Sequence, residues 1–326
     1  IVEAAETLEK EDLIEDKPML VSLTASNYIK RIDLDAYRNQ RRGGRGVIGM
    51  ATKEDDGVER VFAASMHDHL LCFTDRGRVY WLKVYDLPEG QRTGRGKALV
   101  NLLPLTGDER VTAVIPVREF QPDRYLFFAT RGGTVAKVAL DEFSHPRQTG
   151  INAIKLRDGD ALVDVNMTDG NQELILTTRL GQSLRFHEDS VRPVHRNAMG
   201  VRGIRLRNGD ALQSVTVVEG DHLLTITEQG FGKRTEFDEF RGHGRGTLGV
   251  RNIVVDARGG GVVGSMAVYE NDEIIVMSAS GIVIRTKVSE ISIQKRGTRG
   301  VRIMRLDDGD RVVGFTILNS EDRDEE

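Results

Sequence analysis

The 326-residue chain combines 39% hydrophobic with 29% charged residues, which supports a sizeable folded core and argues against wholesale disorder. Its single cysteine, Cys72, excludes an internal disulfide framework and any Cys-X-X-Cys metal site, and it favours a reducing, cytoplasmic compartment. No apolar run approaches the roughly 18 residues that a membrane span needs, and the first 17 residues are acidic, so we expect neither membrane insertion nor a secretory signal.

The formal net charge of −4 is unevenly distributed. Residues 1–17 hold seven acidic residues and two lysines, and residues 319–326 hold five acidic residues and one arginine. The intervening residues 18–318 therefore carry 43 basic and 38 acidic side chains. A basic body between acidic ends is typical of polyanion-binding proteins, although on charge alone an ordinary mixed-charge surface is the simpler interpretation.

A short apolar run ending in Ser or Thr recurs six times, and its length and its β-branched or aromatic content predict a strand. A residue that tolerates a positive φ follows each run and predicts a turn. Successive turns are 50, 55, 49, 49 and 51 residues apart. The predicted strands are 19–24, 69–74, 125–130, 173–178, 222–227 and 273–278, and the predicted turn residues are Asn27, Gly77, Gly132, Gly181, Gly230 and Gly281.

After each turn, a second strand carrying basic residues is predicted, as at 28–34 and 231–237. A loop rich in Arg and Gly follows and ends on a glycine, at 46, 96, 150, 200, 249 or 300. A third strand, as at 200–206, then turns at an Asp-Gly or Asn-Gly pair into a fourth strand. Each repeat therefore predicts about four antiparallel strands.

Six such repeats predict an all-β, six-bladed, propeller-like pinwheel in which each unit buries its apolar faces against its neighbours. A pair of β-sandwich domains is the alternative, but sandwiches do not require a repeat near 50 residues. We expect an acidic linker at 1–17, a single pinwheel at 18–318 and an acidic tail at 319–326. The expected blades are approximately 19–66, 67–118, 123–168, 172–218, 221–269 and 272–318.

The loop before the third strand carries the most informative motif. It reads QRRGGRG at 40–46, QRTGRG at 91–96, RGHGRG at 241–246 and QKRGTRG at 294–300, whereas the third and fourth repeats have HPRQTG and HRNAMG. Arginine offers a planar, permanently charged fork for phosphate oxygens, and glycine lets backbone N–H groups approach the same anion. Recurrence at one place in four repeats predicts cations aligned along one rim.

QRRGGRG resembles the seven-residue box of the C-terminal domain of the DNA gyrase A subunit, and the six degenerate repeats are similar to that family's β-pinwheel. Further similarity lies in 27–46, 67–96 and 231–237. The resemblance implies a domain that wraps double-stranded DNA around a basic outer rim and so serves negative supercoiling. It also implies partnership with the rest of gyrase A and with gyrase B in a cytoplasmic, nucleoid-associated heterotetramer, with ATP and Mg²⁺ used elsewhere and no cofactor or metal in this fragment.

The family's strand-cutting tyrosine belongs to a different domain, and none of the six tyrosines here has similar surroundings, so we expect no DNA cleavage by this fragment. The box carries over position by position, and basic residues of the other repeats complete the expected rim. The predicted DNA-binding residues are Gln40, Arg41, Arg42, Gly43, Gly44, Arg45, Gly46, Arg31, Arg92, Arg95, Lys97, Arg147, Arg196, Lys233, Arg245, Lys295, Arg296 and Arg299.

Three alternatives stay open at this point. The related protein of topoisomerase IV has similar blades, but these generally lack an intact box. A propeller that serves as a protein-interaction scaffold would show no DNA binding with a steep salt dependence. A propeller enzyme would carry acidic residues around a central channel, and no paired carboxylates are visible at the predicted strand starts.

Replacing Arg41, Arg42 and Arg45 by Ala should weaken wrapping more than simple binding, because the other repeats retain their charge. Wrapping is measured as the linking-number change trapped when nicked circles are ligated with bound protein, and binding is measured by titration. An unchanged linking number would contradict a role of the box in wrapping.

Overall fold

The computed structural model describes residues 10–24, 26–33, 58–90 and 94–318. Short 3-10 helices lie at Val84–Asp86, Leu99–Asn101, Leu140–Phe143, Glu188–Ser190, Phe237–Glu239 and Val288–Glu290. The strands of these ranges, in chain order, are β1 (Pro18–Thr24), β2 (Tyr28–Asp33), β3 (Val58–Ser65), β4 (His69–Thr74), β5 (Arg78–Lys83), β6 (Lys97–Ala98), β7 (Val111–Val117), β8 (Tyr125–Thr130), β9 (Thr134–Ala139), β10 (Ile151–Asn152), β11 (Leu162–Thr168), β12 (Glu173–Thr178), β13 (Gln182–His187), β14 (Val201–Arg202), β15 (Leu212–Val217), β16 (His222–Thr227), β17 (Phe231–Glu236), β18 (Val250–Arg251), β19 (Val262–Val268), β20 (Glu273–Ser278), β21 (Val283–Lys287), β22 (Val301–Arg302) and β23 (Val312–Leu318).

The predicted first strand of every repeat is confirmed, and its terminal Ser or Thr has a structural reason. These hydroxyl side chains are buried, and most of them accept the backbone N–H of the residue four positions later. Tyr28 N–H donates to Thr24 Oγ1 at 3.1 Å, and Gln182 N–H donates to Thr178 Oγ1 at the same distance. The hydroxyl thereby satisfies a backbone donor inside the tight turn that joins the first two strands.

The residue that turns the chain after the first strand has a positive φ, as the sequence predicts. Asn27 has a φ of 60°, and glycines take this position in the later repeats. In the third repeat the left-handed residue is Gly133, with a φ of 86°, so the prediction of Gly132 is wrong by one position. Gly132 instead donates its N–H to the Asp160 carboxylate, and this hydrogen bond joins the turn to the loop before β11.

The blades exchange their outermost strands. The sheets have the orders β3-β1-β2-β6, β10-β5-β4-β7, β11-β8-β9-β14, β15-β12-β13-β18 and β19-β16-β17-β22, with β21-β20-β23 as the three described strands of the sixth. All pairings within these sheets are antiparallel. The pinwheel fold is therefore confirmed, with one strand of each four-stranded blade supplied by the next repeat.

This exchange corrects the prediction for the third strand. The segment predicted at 200–206 forms only two strand residues, and Val201 pairs with Val135 of the preceding repeat. The turn at 207–210 consequently does not close a hairpin, because β15 pairs with β12 of its own repeat. The Asn-Gly pair there forms the tight turn by which the chain leaves one sheet and enters the next. Asn and Gly favour tight turns in this setting as they do in hairpins.

The ring closes by packing the first sheet against the sixth. Leu20 and Ile32 of the first sheet share a buried cluster with Ile275 and Met277 of the sixth, and β3 contacts β23. The fourth strand of each repeat lies innermost, where β7, β11, β15, β19 and β23 contact one another in succession. The exchanged strands consequently occupy the outer edges of the sheets.

A glycine ends the loop before each described exchanged strand because the chain there lies against the neighbouring sheet. Gly96 has a φ of 84°, and a Cβ at this position would lie 2.5 Å from the Ile29 carbonyl oxygen. Gly249 and Gly300 also have positive φ and lie against carbonyl oxygens of the preceding repeat. The regular spacing of these glycines thus reflects strand exchange, since any side chain would hold the two sheets apart.

One position of the second strand links each of the first five repeats to the next. The side chain there crosses to a backbone carbonyl in or just after the following 3-10 helix, a bond that stabilises the fold by about 0.5–3 kcal/mol according to its charge. The pairs are Arg31 Nε to Leu87 O (2.9 Å), Trp81 Nε1 to Phe143 O (2.9 Å), Lys137 Nζ to Glu188 O (3.1 Å), Arg185 Nη1 to Phe237 O (2.9 Å) and Arg234 Nε to Ile291 O (2.6 Å). We call these residues the inter-repeat clamps.

The described part of the acidic linker lies against the second repeat. Glu11 pairs with Lys83 at 3.2 Å, Asp16 pairs with Arg118, and His67 Nε2 lies 2.8 Å from the Ile14 carbonyl oxygen. Residues 10–17 are therefore held by a blade through charge, while the domain bounds predicted at residues 17 and 319 stay predictions.

Gly96→Ala should destabilise the fold more than Gly309→Ala. Both glycines have positive φ, but a Cβ at Gly309 meets nothing within 4 Å. In Gly309→Ala the unfavourable φ alone should lower the free energy of unfolding by about 1 kcal/mol. In Gly96→Ala the close approach should lower it by roughly 1–3 kcal/mol more. Denaturant unfolding measures both variants, and equal losses would contradict the close approach as the reason for the glycine.

Candidate nucleic-acid interface

The exposed outer edge of the ring carries arginines in successive repeats. Arg202 lies on β14, Arg251 on β18 and Arg302 on β22, and all three side chains are exposed. Lys97 is exposed on β6, which is the exchanged outer strand of the first sheet. Because the exchanged strands are the outermost strands of their sheets, these cations face outward from the rim.

Of these edge cations, the sequence patterns predicted only Lys97. The missed residues share a visible signal, since the tripeptide Gly-Val-Arg stands at 200–202, 249–251 and 300–302. The alternation of side chains within a presumed inner strand hid their exposure, because a strand is expected to bury every second residue. A two-residue edge strand imposes no such alternation.

The Arg- and Gly-rich loop of each later repeat stacks on the exchanged strand of the repeat before it. The N–H of Gly246 donates to the Gly203 carbonyl at 2.6 Å, and the N–H of Gly297 donates to the Asn252 carbonyl at 3.0 Å. These bonds hold each loop against the outer edge and fix where its arginines lie.

Two guanidinium groups of these loops bind directly to the neighbouring edge strand. Arg245 Nη1 donates to the Arg202 carbonyl at 3.1 Å, and Arg296 Nη1 donates to the Arg251 carbonyl at 3.3 Å. The side chains of loop and edge strand therefore follow one another from Arg202 through Arg302. We call this run the rim belt: Arg202, Arg245, Arg251, Arg296 and Arg302.

The fourth repeat keeps the loop geometry despite its departure from the sequence pattern. Asn197 adopts a φ of 60° where Gly246 and Gly297 stand in the next two repeats. Its N–H donates to the Ala153 carbonyl at 3.0 Å, as the two glycines do to their own neighbours. HRNAMG thus folds as the Gly-rich loops fold, because asparagine tolerates the left-handed conformation.

The other predicted cations are exposed to different degrees. Arg95 stacks on the Tyr28 ring, with 4.1 Å from the guanidinium carbon to the ring centroid. Arg299 pairs with Asp256, whose pKa this guanidinium holds below its ordinary value. The exposed residues of the predicted set are Arg95, Lys97, Arg147, Arg245 and Lys295, and the half-buried ones are Arg196, Arg296 and Arg299.

The structure contradicts the prediction that Arg31 and Lys233 bind phosphate. Arg31 is an inter-repeat clamp whose side chain is 13% exposed. Lys233 is fully buried, and its Nζ donates to the Asn252 carbonyl at 2.7 Å and to the Lys295 carbonyl at 2.8 Å. Both cations hold neighbouring repeats together, so neither is available to a ligand.

Several predicted residues lie outside the described residues. These are Gln40, Arg41, Arg42, Gly43, Gly44, Arg45 and Gly46 of the box, together with Arg92 and the acidic tail. Their assignment stays a prediction.

Within the described ranges, no three His, Cys, Asp or Glu side chains converge as a metal site would require. Over those same ranges, no helix has the length and apolar character to cross a bilayer.

Comparison with known proteins agrees with this architecture. A family model described as the DNA gyrase C-terminal domain, beta-propeller, matches residues 18–65, 68–118, 124–169, 172–219, 221–268 and 272–319. The chain is 45% identical over 317 residues to the DNA gyrase A protein of Salmonella typhimurium, covering 97% of this chain and 36% of that protein. It is 46% identical over 306 residues to the gyrase A protein of Escherichia coli K12, covering 94% of this chain and 35% of that protein. The chain thus spans about a third of the length of these relatives.

Two solved structures are similar throughout. A DNA gyrase A C-terminal domain superposes with a TM-score of 0.78 at 26% identity, covering 93% of this chain and 100% of that one. The C-terminal domain of a DNA topoisomerase IV superposes with a TM-score of 0.77 at 26% identity, covering 95% of both chains.

Burial lowers the pKa of Lys233 to about 8, below the ordinary lysine value of 10.5. Between these two pH values the unfolded chain binds more protons than the folded one, so the free energy of unfolding should rise with pH. Lys233→Met should remove this rise, and Lys295→Met, at an exposed position, should keep it. Denaturant unfolding from pH 7 to 10.5 measures the difference, and parallel curves for wild type and Lys233→Met would contradict the effect of burial.

Proposed function

Since this chain belongs to the DNA gyrase C-terminal beta-propeller family, the C-terminal part of a type II topoisomerase subunit, we propose that it binds duplex DNA non-specifically around its rim and bends it. The observation that carries the proposal is the rim belt. Its arginines belong to successive repeats, and two of them are fixed by hydrogen bonds to the edge strand of the preceding repeat.

The chemistry of the rim belt suits a phosphate backbone. Each guanidinium is permanently charged and keeps N–H donors that point away from the carbonyl it binds. Anchoring by Arg202 O and Arg251 O lowers the conformational entropy that these side chains lose on binding a phosphate. The belt thus presents pre-organised donors along a curved path.

Bending requires many such contacts. Coiling roughly 40 bp through about 180° costs on the order of 11 kcal/mol by an elastic estimate with a persistence length near 150 bp. A single loop does not offset this cost, whereas about ten phosphate contacts spread over the repeats do. A distributed rim is consequently a physical requirement of wrapping.

The same geometry explains the expected lack of sequence preference. The six 3-10 helices of the blades are single turns, too short to enter a major groove and read base edges. Contacts to phosphates position a duplex but carry no base information. We therefore propose that deformable DNA, and no particular sequence, is preferred.

Gyrase is favoured over topoisomerase IV as the enzyme that this domain serves. The two solved neighbours superpose equally well, so the fold does not separate them. The box at 40–46 favours gyrase, and so do the Salmonella and Escherichia relatives, which are both gyrase A proteins. We propose that the domain serves negative supercoiling with the rest of gyrase A and with gyrase B in the cytoplasm, where ATP and Mg²⁺ act outside this fragment.

Binding to a 40-bp duplex should depend steeply on salt, with a slope of log affinity against log salt near −9 if about ten phosphates are engaged. Replacing Arg202, Arg251 and Arg302 by Ala should reduce the magnitude of the slope by about 3. A triple control at Arg110, Arg124 and Arg311, none of which lies on an exchanged strand or in an Arg- and Gly-rich loop, should leave it unchanged. Salt-independent binding by the wild-type chain would favour a protein-interaction scaffold and contradict the proposal.

A further inference from the structure

A cleft of about 710 Å³ opens beside the rim belt, where residues of the third, fourth and fifth repeats meet. Its wall includes Arg202 and Arg245 of the belt, and it also includes Arg131 and Arg157, which no part of the proposed rim uses. Arg131 follows the end of β8, and Arg157 lies in the turn that leads to β11. The cleft therefore continues the cationic surface away from the outer edge toward the turns of the sheets.

Two of the four guanidinium groups are held in place by the backbone. Arg131 Nη2 donates to the Gly159 carbonyl at 2.7 Å, and Arg245 Nε donates to the Ser190 carbonyl at 2.9 Å. These bonds leave further N–H donors on each planar group for a ligand. The wall is thus pre-organised in the free protein.

Two of the three carboxylates in the cleft accept hydrogen bonds from neighbouring protein groups. Asp160 accepts the Thr130 hydroxyl at 2.6 Å and the Gly132 N–H at 2.8 Å. Asp210 accepts backbone N–H groups through one oxygen, and its other oxygen is shielded from solvent. Asp158 also lies on the wall and is exposed, so four arginines and three aspartates line the cleft.

Within the described part of the chain, none of the four arginines lies within 4.0 Å of a carboxylate oxygen. The equivalent of Arg131 in the next repeat is Arg179, which pairs with Glu228 at 3.1 Å. Of these two equivalent arginines, only Arg131, which lines the cleft, has no carboxylate partner among the described residues. The four arginines and three aspartates of the lining leave the cleft a formal net charge of +1, which favours an anionic ligand.

We propose that this cleft is a phosphate-binding site, distinct from the outer edge, with Arg131 and Arg157 as its own ligands and Arg202 and Arg245 shared with the rim belt. Guanidinium forks match phosphate oxygens in geometry and charge. Continuity with the belt favours a phosphate of the bound duplex, and in this form the inference rests on the proposed function. A free polyphosphate offers the same chemistry.

The test combines Arg131→Gln with Arg157→Ala and compares this variant with a matched control, Arg179→Gln with Arg207→Ala. The control residues hold the equivalent positions of the next repeat and do not line the cleft. Thermal unfolding and circular dichroism first establish that both variants fold as the wild type does.

The first measurement is the salt dependence of binding to a 40-bp duplex. Loss of two phosphate contacts should reduce the magnitude of the slope by about 1.8 in the cleft variant and leave the control near the wild-type value. The second measurement is the rise in melting temperature with inorganic tripolyphosphate, which should be smaller for the cleft variant than for the control if free phosphate binds there.

The outcomes separate the two proposals and the two phosphate sources. A changed slope identifies the duplex backbone, and a changed tripolyphosphate response with an unchanged slope identifies a free phosphate. If the cleft variant equals the control in both measurements, the cleft proposal is overturned. If the wild-type chain shows no salt-dependent duplex binding, the proposed function fails, and the tripolyphosphate response alone decides the cleft.

Discussion

The exchange of one strand between successive repeats is the constraint on which the rest of the structure depends. Because β14 completes the sheet of the third repeat and β18 that of the fourth, each Arg- and Gly-rich loop must cross from one blade to the next. A glycine lies at the end of each crossing, where Gly249 and Gly300 contact carbonyl oxygens of the preceding sheet. The crossing carries the loop arginines to the outer edge, so the fold itself determines where the positive charge lies.

The basic residues of the chain accordingly divide into two groups with opposite roles. Second-strand cations such as Arg31 and Arg234 point into the joint between repeats and bind backbone carbonyls there. Edge-strand and loop arginines such as Arg202 and Arg245 face solvent at the rim. Both groups consist of basic residues in or beside short strands, so residue type and net charge do not distinguish them. Strand order does, because only the outermost strand leaves its side chains uncovered.

Local patterns predicted the first two strands of each repeat to within a residue or two, since that hairpin depends on sequence-adjacent residues and a turn with a positive φ. The sequence did not reveal that β14 leaves its own repeat, because a two-residue edge strand has no periodicity. From that one error follow the wrong hairpin at 207–210 and the omission of Arg202. The wrong assignment of Lys233 has another cause: burial by the next repeat is a tertiary effect.

Hydroxyl-radical footprinting of a long duplex bound to this chain tests the central claim most directly, namely that strand exchange arranges cations from successive repeats into one continuous curved surface. A continuous belt predicts protection that recurs about every 10 bp over several helical turns, because the same side of a wrapped duplex meets one repeat after another. A single protected stretch no longer than one helical turn would show that DNA meets one repeat only, and it would contradict the continuous belt.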